Sequence, residues 1–272
     1  MTSAYAEVIG DPVEHSKSPV IHGYWLEKLG IDAEYRRTRI GPDELSAYIQ
    51  AQRHNPQWLG CNVTMPLKLD ALLLADAKSD ASVQAGACNL LIQQAGKLFA
   101  ANTDVGAIGM VVGQLAAGRT PESVTLLGTG GAARAVLAAL TAMGVRQINV
   151  QGRNRAEAAS LAKLFDLILP PQPFGSPVET DGLINATPLG MSGAAPLDVD
   201  LSSMPDHGWV FDLVSSPPQT ALVREAERRG IRASGGLPML IEQAAASFPA
   251  LFGADPPRGT ESDAELRRRL AE

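Results

Sequence analysis

The chain has 272 residues, 45% apolar and 19% charged, and carries a net charge of −6 from 23 Lys+Arg against 29 Asp+Glu. This composition excludes a disordered chain and offers no basic footprint for nucleic acid. No apolar stretch reaches membrane-spanning length and no basic-then-apolar leader is visible, so no membrane partner and a cytoplasmic location are expected. Cys61 and Cys88 lie in apolar stretches without metal-ligand spacing, which predicts two buried, reduced thiols and no metal site.

Tyr5 to Gly10 reads as a strand, and the polar loop from Asp11 to Pro19 leads into a helix over 20–29 that Gly30 stops. Ser18 is placed to be that helix's N-cap. Ser16 has no such local use, and two hydroxyls two residues apart can take a carboxylate or a polyol. Glu34 to Ile40 reads as a strand, Pro42 to Gln52 as a helix, and Trp58 to Thr64 as an apolar strand ending in polar residues. Met65-Pro66-Leu67-Lys68 follows, with Pro66 suited to a helix start. Ligands gather beyond the carboxyl ends of strands in α/β sheets, which marks Asn62, Thr64 and Lys68; the alternative for Lys68 is a solvated surface charge.

Helices are expected over 68–77 and 79–83, a strand over 87–93, and a hairpin through Gln94-Ala95-Gly96 into a strand over 97–101. Asn89 is a polar residue inside an apolar strand. Asp104, after Asn102-Thr103, precedes a helix over 105–115 and can serve as its N-cap.

From there the β-α alternation is parallel in character. The apolar run Val124-Thr125-Leu126-Leu127 leads into Gly128-Thr129-Gly130-Gly131-Ala132-Ala133 and then a run of helix formers ending at Met143. Gly128, Gly130 and Ala133 match G-x-G-x-x-G/A in its strand–turn–helix setting, the signature of a dinucleotide pyrophosphate held on a helix N-terminus. The second strand, Gln147 to Val150, is followed by Gln151-Gly152-Arg153-Asn154-Arg155. An NAD binder usually has Asp or Glu there for the ribose hydroxyls; two guanidiniums and no carboxylate suit a 2′-phosphate, so NADP is the expected cofactor. A helix over 156–164, a proline-rich loop over 170–180, strands over 182–185 and 209–214, a helix over 220–229, an apolar helix over 239–251 carrying Glu242 and Gln243, and a charged surface helix over 261–272 complete the reading. The strand ends at Leu127, Asn185 and Val214 aim their loops at one crevice.

The expected architecture is α/β with two α/β domains and a cleft between them: residues 1–104 for substrate and catalysis, a Rossmann-type NADP-binding domain over 105–236, and C-terminal helices over 237–272 returning to the first domain. Lys68 and Asp104, both just past strand ends, are the best proton-handling pair. A close carboxylate favours the charged lysine and a dry pocket disfavours it.

Several stretches resemble the shikimate dehydrogenase family: Gly10-Asp11-Pro12, His15-Ser16-Lys17-Ser18-Pro19, Asn62-Val63-Thr64-Met65-Pro66-Leu67-Lys68, Gly86-Ala87-Cys88-Asn89, Asn102-Thr103-Asp104, the Gly128 turn, Asn185-Ala186-Thr187-Pro188-Leu189-Gly190-Met191 and Gly236-Leu237-Pro238-Met239-Leu240. They stand in family order to about residue 252. The resemblance implies reversible, NADPH-dependent reduction of 3-dehydroshikimate to shikimate in aromatic amino-acid biosynthesis. It implies that Ser16 and Ser18 hold the substrate carboxylate, that Thr64, Asn89, Asp104 and Gln243 hold ring hydroxyls, and that Lys68 is the acid/base with Asp104 as its partner. For the cofactor it implies Gly128, Thr129, Gly130, Gly131 and Ala132 at the pyrophosphate, Arg153 at the 2′-phosphate with Gly152, Asn154 and Arg155 around it, Leu213 and Gly236 beside the nicotinamide, and Asp80 near the cofactor. Two departures stand out. Gly152-Arg153-Asn154 replaces the usual Asn-Arg-Thr, and Ser215 replaces a tyrosine that touches substrate. The serine leaves quinate, or slow turnover of a related cyclic hydroxy acid, open as alternatives. A non-catalytic NADP-binding sensor and a Rossmann-type transferase or C1-carrier enzyme are the readings from other classes. A homodimer is left open.

Overall fold

The near-continuous apolar run Ala4-Tyr5-Ala6-Glu7-Val8-Ile9-Gly10 builds the first strand, buried on both faces and paired on both edges. The computed structural model describes residues 3–271. They divide into two compact units, residues 3–103 with 241–271, and Asp104–Leu240. The expected divisions at 104/105 and 236/237 therefore fall at 103/104 and 240/241.

The first unit runs β1 (Ala4–Gly10), α1 (Ser18–Leu29), β2 (Ala33–Arg39), α2 (Pro42–Gln52), β3 (Trp58–Val63), α3 (Lys68–Leu73), β4 (Ala77–Lys78), α4 (Asp80–Ala85), β5 (Leu90–Gln94) and β6 (Lys97–Ala101). Its six strands are ordered β2-β1-β3-β5-β6-β4. β1 pairs in parallel with β2 and β3, and the β5–β6 hairpin joins β3 antiparallel. The edge strand β2 carries Arg36, Arg37 and Arg39, charges that discourage further strand pairing. One core of this unit gathers Trp58, Leu67, Leu91, Leu98 and both cysteines. Cys61 and Cys88 are buried and free, and burial pushes the Cys61 thiol well up.

The helix expected over 68–77 stops at Leu73. Asp76 and Ser79 donate their backbone N–H groups to Leu98 and Ala100, so the chain between them pairs with β6 instead. The strand expected from Ala87 begins at Leu90. Helix α1 is capped at Lys17, not Ser18, with no side-chain bond at the cap. Ser18 is already helical and is buried. Pro66 sits in a cis turn and α3 begins two residues later, at Lys68.

His22 of α1 is fully buried among aromatic rings. It stacks on Tyr35 at 4.1 Å and 4°, and packs on Phe248 at 5.8 Å. Neither ring nitrogen has a hydrogen-bond partner, and burial pushes its pKa down to about 3. The unfolded chain takes up this proton near its ordinary value of 6.5, well above the folded chain. Stability from this residue is therefore complete above that value and falls as pH drops, by about 2 kcal/mol on reaching about pH 5. Urea midpoints at both pH values should show this loss, and His22→Phe should remove most of it. An equal loss in the variant assigns the acid sensitivity elsewhere.

The second unit runs α5 (Asp104–Leu115), β7 (Ser123–Leu127), α6 (Gly131–Ala142), β8 (Gln147–Gly152), α7 (Arg155–Leu164), β9 (Gln172–Pro173), β10 (Gly182–Asn185), β11 (Trp209–Asp212), α8 (Ala221–Arg228) and β12 (Arg232–Ser234). Its sheet is wholly parallel, ordered β12-β11-β10-β7-β8-β9. Numbered within the unit, the strands read 3-2-1-4-5-6, the doubly wound dinucleotide order with its switch point between β7 and β10. Two strands of this unit went unread in the sequence, β9, inside the proline-rich loop, and β12, as β4 did in the first. β11 ends at Asp212 rather than Val214.

Helix α9 (Leu237–Phe252) begins in the second unit, and its residues from Ile241 belong to the first, as does α10 (Thr260–Ala271). α10 is more than a surface helix. Leu266 and Leu270 are buried, and Arg269 and Glu265 pair with Glu27 and Lys28 of α1 at 2.7 and 2.9 Å. No helix among the described residues is long and apolar enough to cross a membrane.

Candidate active site

In the first unit the polar residues collect at the carboxyl ends of β1 and β3 and the start of α1. Gly10 ends β1 where a Cβ would lie 2.4 Å from Thr64 Cγ2 and 2.7 Å from the Met65 carbonyl, so only glycine allows Thr64 this close. The Thr64 N–H donates to Ile9 at 2.9 Å. Ser16 does have a local use: its hydroxyl accepts the Ser18 N–H at 3.4 Å, and its carbonyl accepts Arg37 Nε at 2.9 Å. Lys17, between the two serines, donates its ammonium to the Leu270 carbonyl of α10. The loop is thus held from both sides, with Ser16 half-buried and Ser18 buried.

A hydrogen-bonded row runs inward from Ser18. The Tyr35 hydroxyl donates to Asn62 Oδ1 at 2.7 Å, and Asn62 Nδ2 donates to the Asn89 carbonyl at 3.1 Å. Burial, with the nearby Cys61 and Glu7, drives the Tyr35 hydroxyl pKa well up, against a hydrogen bond to Ser18. Asn89 Nδ2 donates to the Thr103 hydroxyl at 2.9 Å and to Gln243 Oε1 at 3.3 Å, while its Oδ1 accepts the Thr103 N–H at 2.8 Å. Lys68 is half-buried, and its carbonyl accepts the Cys88 N–H at 2.9 Å, which pins the start of α3 beside Asn89. Of the expected substrate residues the structure therefore joins Ser16 to Ser18, and Asn89 to Gln243. Asp80 is exposed at the start of α4, where an acid suits the helix dipole and Ser79 supplies the cap.

In the second unit Gly128 follows β7 at φ +112, with its missing Cβ 3.0 Å from the Ala186 carbonyl of the post-β10 loop. Gly130 caps α6 without a side-chain bond, no acid stands in that helix's first turn, and an added Cβ at Gly130 meets nothing within 4 Å. The turn therefore presents free helix N–H groups to open space at the switch point, an anion cradle. Gly131 and Ala132 open α6, and Gly152 ends β8. Arg153 and Arg155 are exposed after it. Asn154 is spoken for: it caps α7, its Oδ1 accepting from Ala156 and Glu157. Asp104 opens α5 as its first residue and is buried.

Residues 8–91 match the family described as the shikimate dehydrogenase substrate binding domain. A shikimate dehydrogenase (NADP(+)) from Sphingopyxis alaskensis is 43% identical over 278 residues, spanning 98% of this chain and 97% of that protein. The chain belongs to the shikimate dehydrogenase family. Among solved structures, shikimate 5-dehydrogenase from Thermus thermophilus, in complex with NADP(H) and shikimate, is 33% identical with a TM-score of 0.83, covering 98% of this chain and 99% of that one. Quinate dehydrogenase from Corynebacterium glutamicum, in complex with NAD, is 27% identical with a TM-score of 0.84, covering 98% of each.

Shikimate dehydrogenases of this NADP-linked kind need a second unit that can hold the cofactor, and the Gly128–Ala132 cradle with Arg153 beyond β8 fits it. Sequence reading missed a network at the carboxyl ends of β10 and β11, across the switch point from that cradle. Asp212, fully buried, accepts from Asn185 Nδ2 at 2.9 Å, the Val214 N–H at 3.1 Å and the Thr220 hydroxyl at 2.6 Å. Burial pushes its carboxyl up, and the Thr220, Val214 and Asn185 donors pull it back. Asn185 Oδ1 in turn holds Thr187 through its N–H and hydroxyl. The network fixes the loop carrying Leu213 and the half-buried Ser215. Gly236 packs on the same loop, since its Cβ would meet the Leu213 carbonyl at 2.1 Å. The available signal was a polar residue closing each otherwise apolar strand, Asn185 after Gly182-Leu183-Ile184 and Asp212 after Trp209-Val210-Phe211. Tyr35 was missed too, as the one buried residue of an arginine-rich strand.

Proposed function

We propose that the polar cluster of the first unit holds a cyclic hydroxy acid, that the glycine turn and Arg153 of the second hold NADP(H), and that the chain interconverts 3-dehydroshikimate and shikimate. The chain is an NADP-dependent oxidoreductase of the shikimate pathway, as its membership in the family entails. The geometric observation that carries the residue assignment is the meeting of Asn89, Thr103 and Gln243, three neutral polar side chains from the turn before β5, the loop after β6 and helix α9. Such a set suits ring hydroxyls, which both donate and accept.

In this reading the hydroxyls of Ser16 and Ser18 bind the substrate carboxylate, and Thr64, Asn89, Asp104 and Gln243 orient the ring. NADPH supplies the hydride that reduces the ketone carbon. Lys68 gives a proton to the ketone oxygen as the hydride arrives, and takes it back in the reverse direction. Asp104 supports the ammonium form of Lys68. Gly128 to Ala132 take the pyrophosphate, Arg153 and Arg155 the 2′-phosphate, and Leu213 and Gly236 flank the nicotinamide, with Gly152, Asn154 and Asp80 as further cofactor neighbours. A cytoplasmic homodimer belongs to the same reading.

Ser215 favours a second substrate. A serine leaves unfilled the space a tyrosine would take, so a polyol with one more hydroxyl, such as quinate, has a place. Initial rates with shikimate and quinate, each with NADP+ and NAD+, test both readings by nicotinamide absorbance. Shikimate with NADP+ should give the highest kcat/KM. No reduction with any cyclic hydroxy acid would sink the assignment, and a higher kcat/KM for quinate would establish the second reading.

A further inference from the structure

Glu157 sits where an acid ordinarily needs no special account. It is in the first turn of α7, where the helix dipole favours it, and three residues after the Asn154 cap, the spacing of a capping box. Its carboxylate reaches further than a box requires. One oxygen accepts the Thr129 hydroxyl at 2.8 Å and the other the Asn154 side-chain amide at 2.9 Å. Thr129 belongs to the glycine turn, 28 residues earlier. It also packs against the end of β8, where a Cβ on Gly152 would lie 2.7 Å from Thr129 Cγ2. The turn after β7, the end of β8 and the first turn of α7 thus converge on one carboxylate. In a dinucleotide fold the end of this second strand faces the adenosine ribose, the place where an acid binds ribose hydroxyls. No carboxylate stands at the strand's end in the sequence, yet the fold delivers one there from the following helix.

We propose that Glu157 sets the cofactor selectivity: its carboxylate opposes the 2′-phosphate of NADP(H) and accepts the free 2′-hydroxyl of NAD(H), so that the chain accepts both cofactors and prefers NADP(H) less than its two arginines alone dictate. The proposal rests on the cofactor site assigned above. A carboxylate has about four acceptor positions. Two are used here, which leaves room for a ribose hydroxyl to donate. A 2′-phosphate has no such proton to offer and carries about two negative charges, which this carboxylate repels while Arg153 and Arg155 attract them. The position is exposed, so the opposition is moderate and salt-sensitive.

Binding of two fragments isolates the effect from turnover. Adenosine 2′,5′-bisphosphate and 5′-AMP differ only in the 2′-phosphate. Calorimetric titration of the wild-type chain, Glu157→Gln and Glu157→Ala should show the bisphosphate-to-AMP affinity ratio rising about five- to tenfold in both variants at low salt, and much less at about 1 M salt, where screening acts within about 3 Å. The NADP+ to NAD+ ratio of kcat/KM should rise in parallel. A capping role alone lowers the melting temperature and leaves both ratios in place. Ratios unchanged within about twofold, or lowered, in both folded variants overturn the proposal. A wild-type chain that binds neither fragment overturns the cofactor site on which it rests.

Discussion

Lys68→Met lowers kcat by about two to four orders of magnitude while KM for shikimate and for NADP+ moves only a few-fold, the size expected when a general acid/base is removed and binding is kept. Methionine retains an unbranched stem of similar reach, so the variant removes the proton donor with little change in packing. The backbone at this position is held independently of the side chain, by the Cys88 N–H on the Lys68 carbonyl at 2.9 Å, so α3 should still start where it does. Lys68→Arg separates two roles that the first variant leaves joined. Arginine keeps the positive charge but does not give up its proton near neutrality. If Lys68 moves the proton, Lys68→Arg is as slow as Lys68→Met. If Lys68 only stabilises charge on the substrate oxygen, Lys68→Arg recovers much of kcat. A large rise in KM with kcat intact, in either variant, makes Lys68 a binding residue and removes it from the chemistry.

Lys68 was legible as a candidate because it follows a strand end, a turn and a proline, features that survive whatever the rest of the chain does. The second unit was legible for a related reason. β7, β10 and β11 are short, mostly apolar runs closed by glycine or a polar residue and β8 alternates Ile148 and Val150 with polar residues, so these four announce themselves and their order follows from the doubly wound rule. β12 does not. Arg232-Ala233-Ser234 has no apolar pattern because it is a three-residue edge strand whose only sheet neighbour is β11. Helix α3 was overextended for the opposite reason. Leu72-Leu73-Leu74-Ala75 has strong helix propensity, but the Asp76 carboxylate accepts the Leu98 N–H and a guanidinium from Arg53, and pulls the chain into the sheet. Such contacts between residues distant in sequence override a local preference worth only tenths of a kcal/mol per residue. Glu157 shows the same limit within the site. In the sequence it is an acid in a helix's first turn; only the fold brings it to the hydroxyl of Thr129.

Arg153 is the counterpart to that acid, and its removal should have the second largest effect. Arg153→Ala should raise KM for NADP+ by about ten- to a hundredfold, the range of one charge-assisted hydrogen-bonding group lost from a phosphate. KM for NAD+ should hardly change, because NAD+ offers no 2′-phosphate to that guanidinium. kcat at saturating NADP+ should also persist, since the lost contact serves ground state and transition state alike. Arg155→Ala should cost less. Arg153 comes directly after Gly152 at the end of β8, whereas Arg155 is already the first residue of α7, where a positive charge works against the helix dipole and gains less from staying in place. Salt provides an independent reading. The NADP+ preference of the wild-type chain should fall as ionic strength rises, and that of Arg153→Ala should be nearly flat. Equal losses for NADP+ and NAD+ in Arg153→Ala would mean that the residue supports the β8–α7 turn rather than the phosphate. Selectivity would then have to come from Arg155 against Glu157, and the double variant Arg155→Ala/Glu157→Gln would show little preference between NADP+ and NAD+.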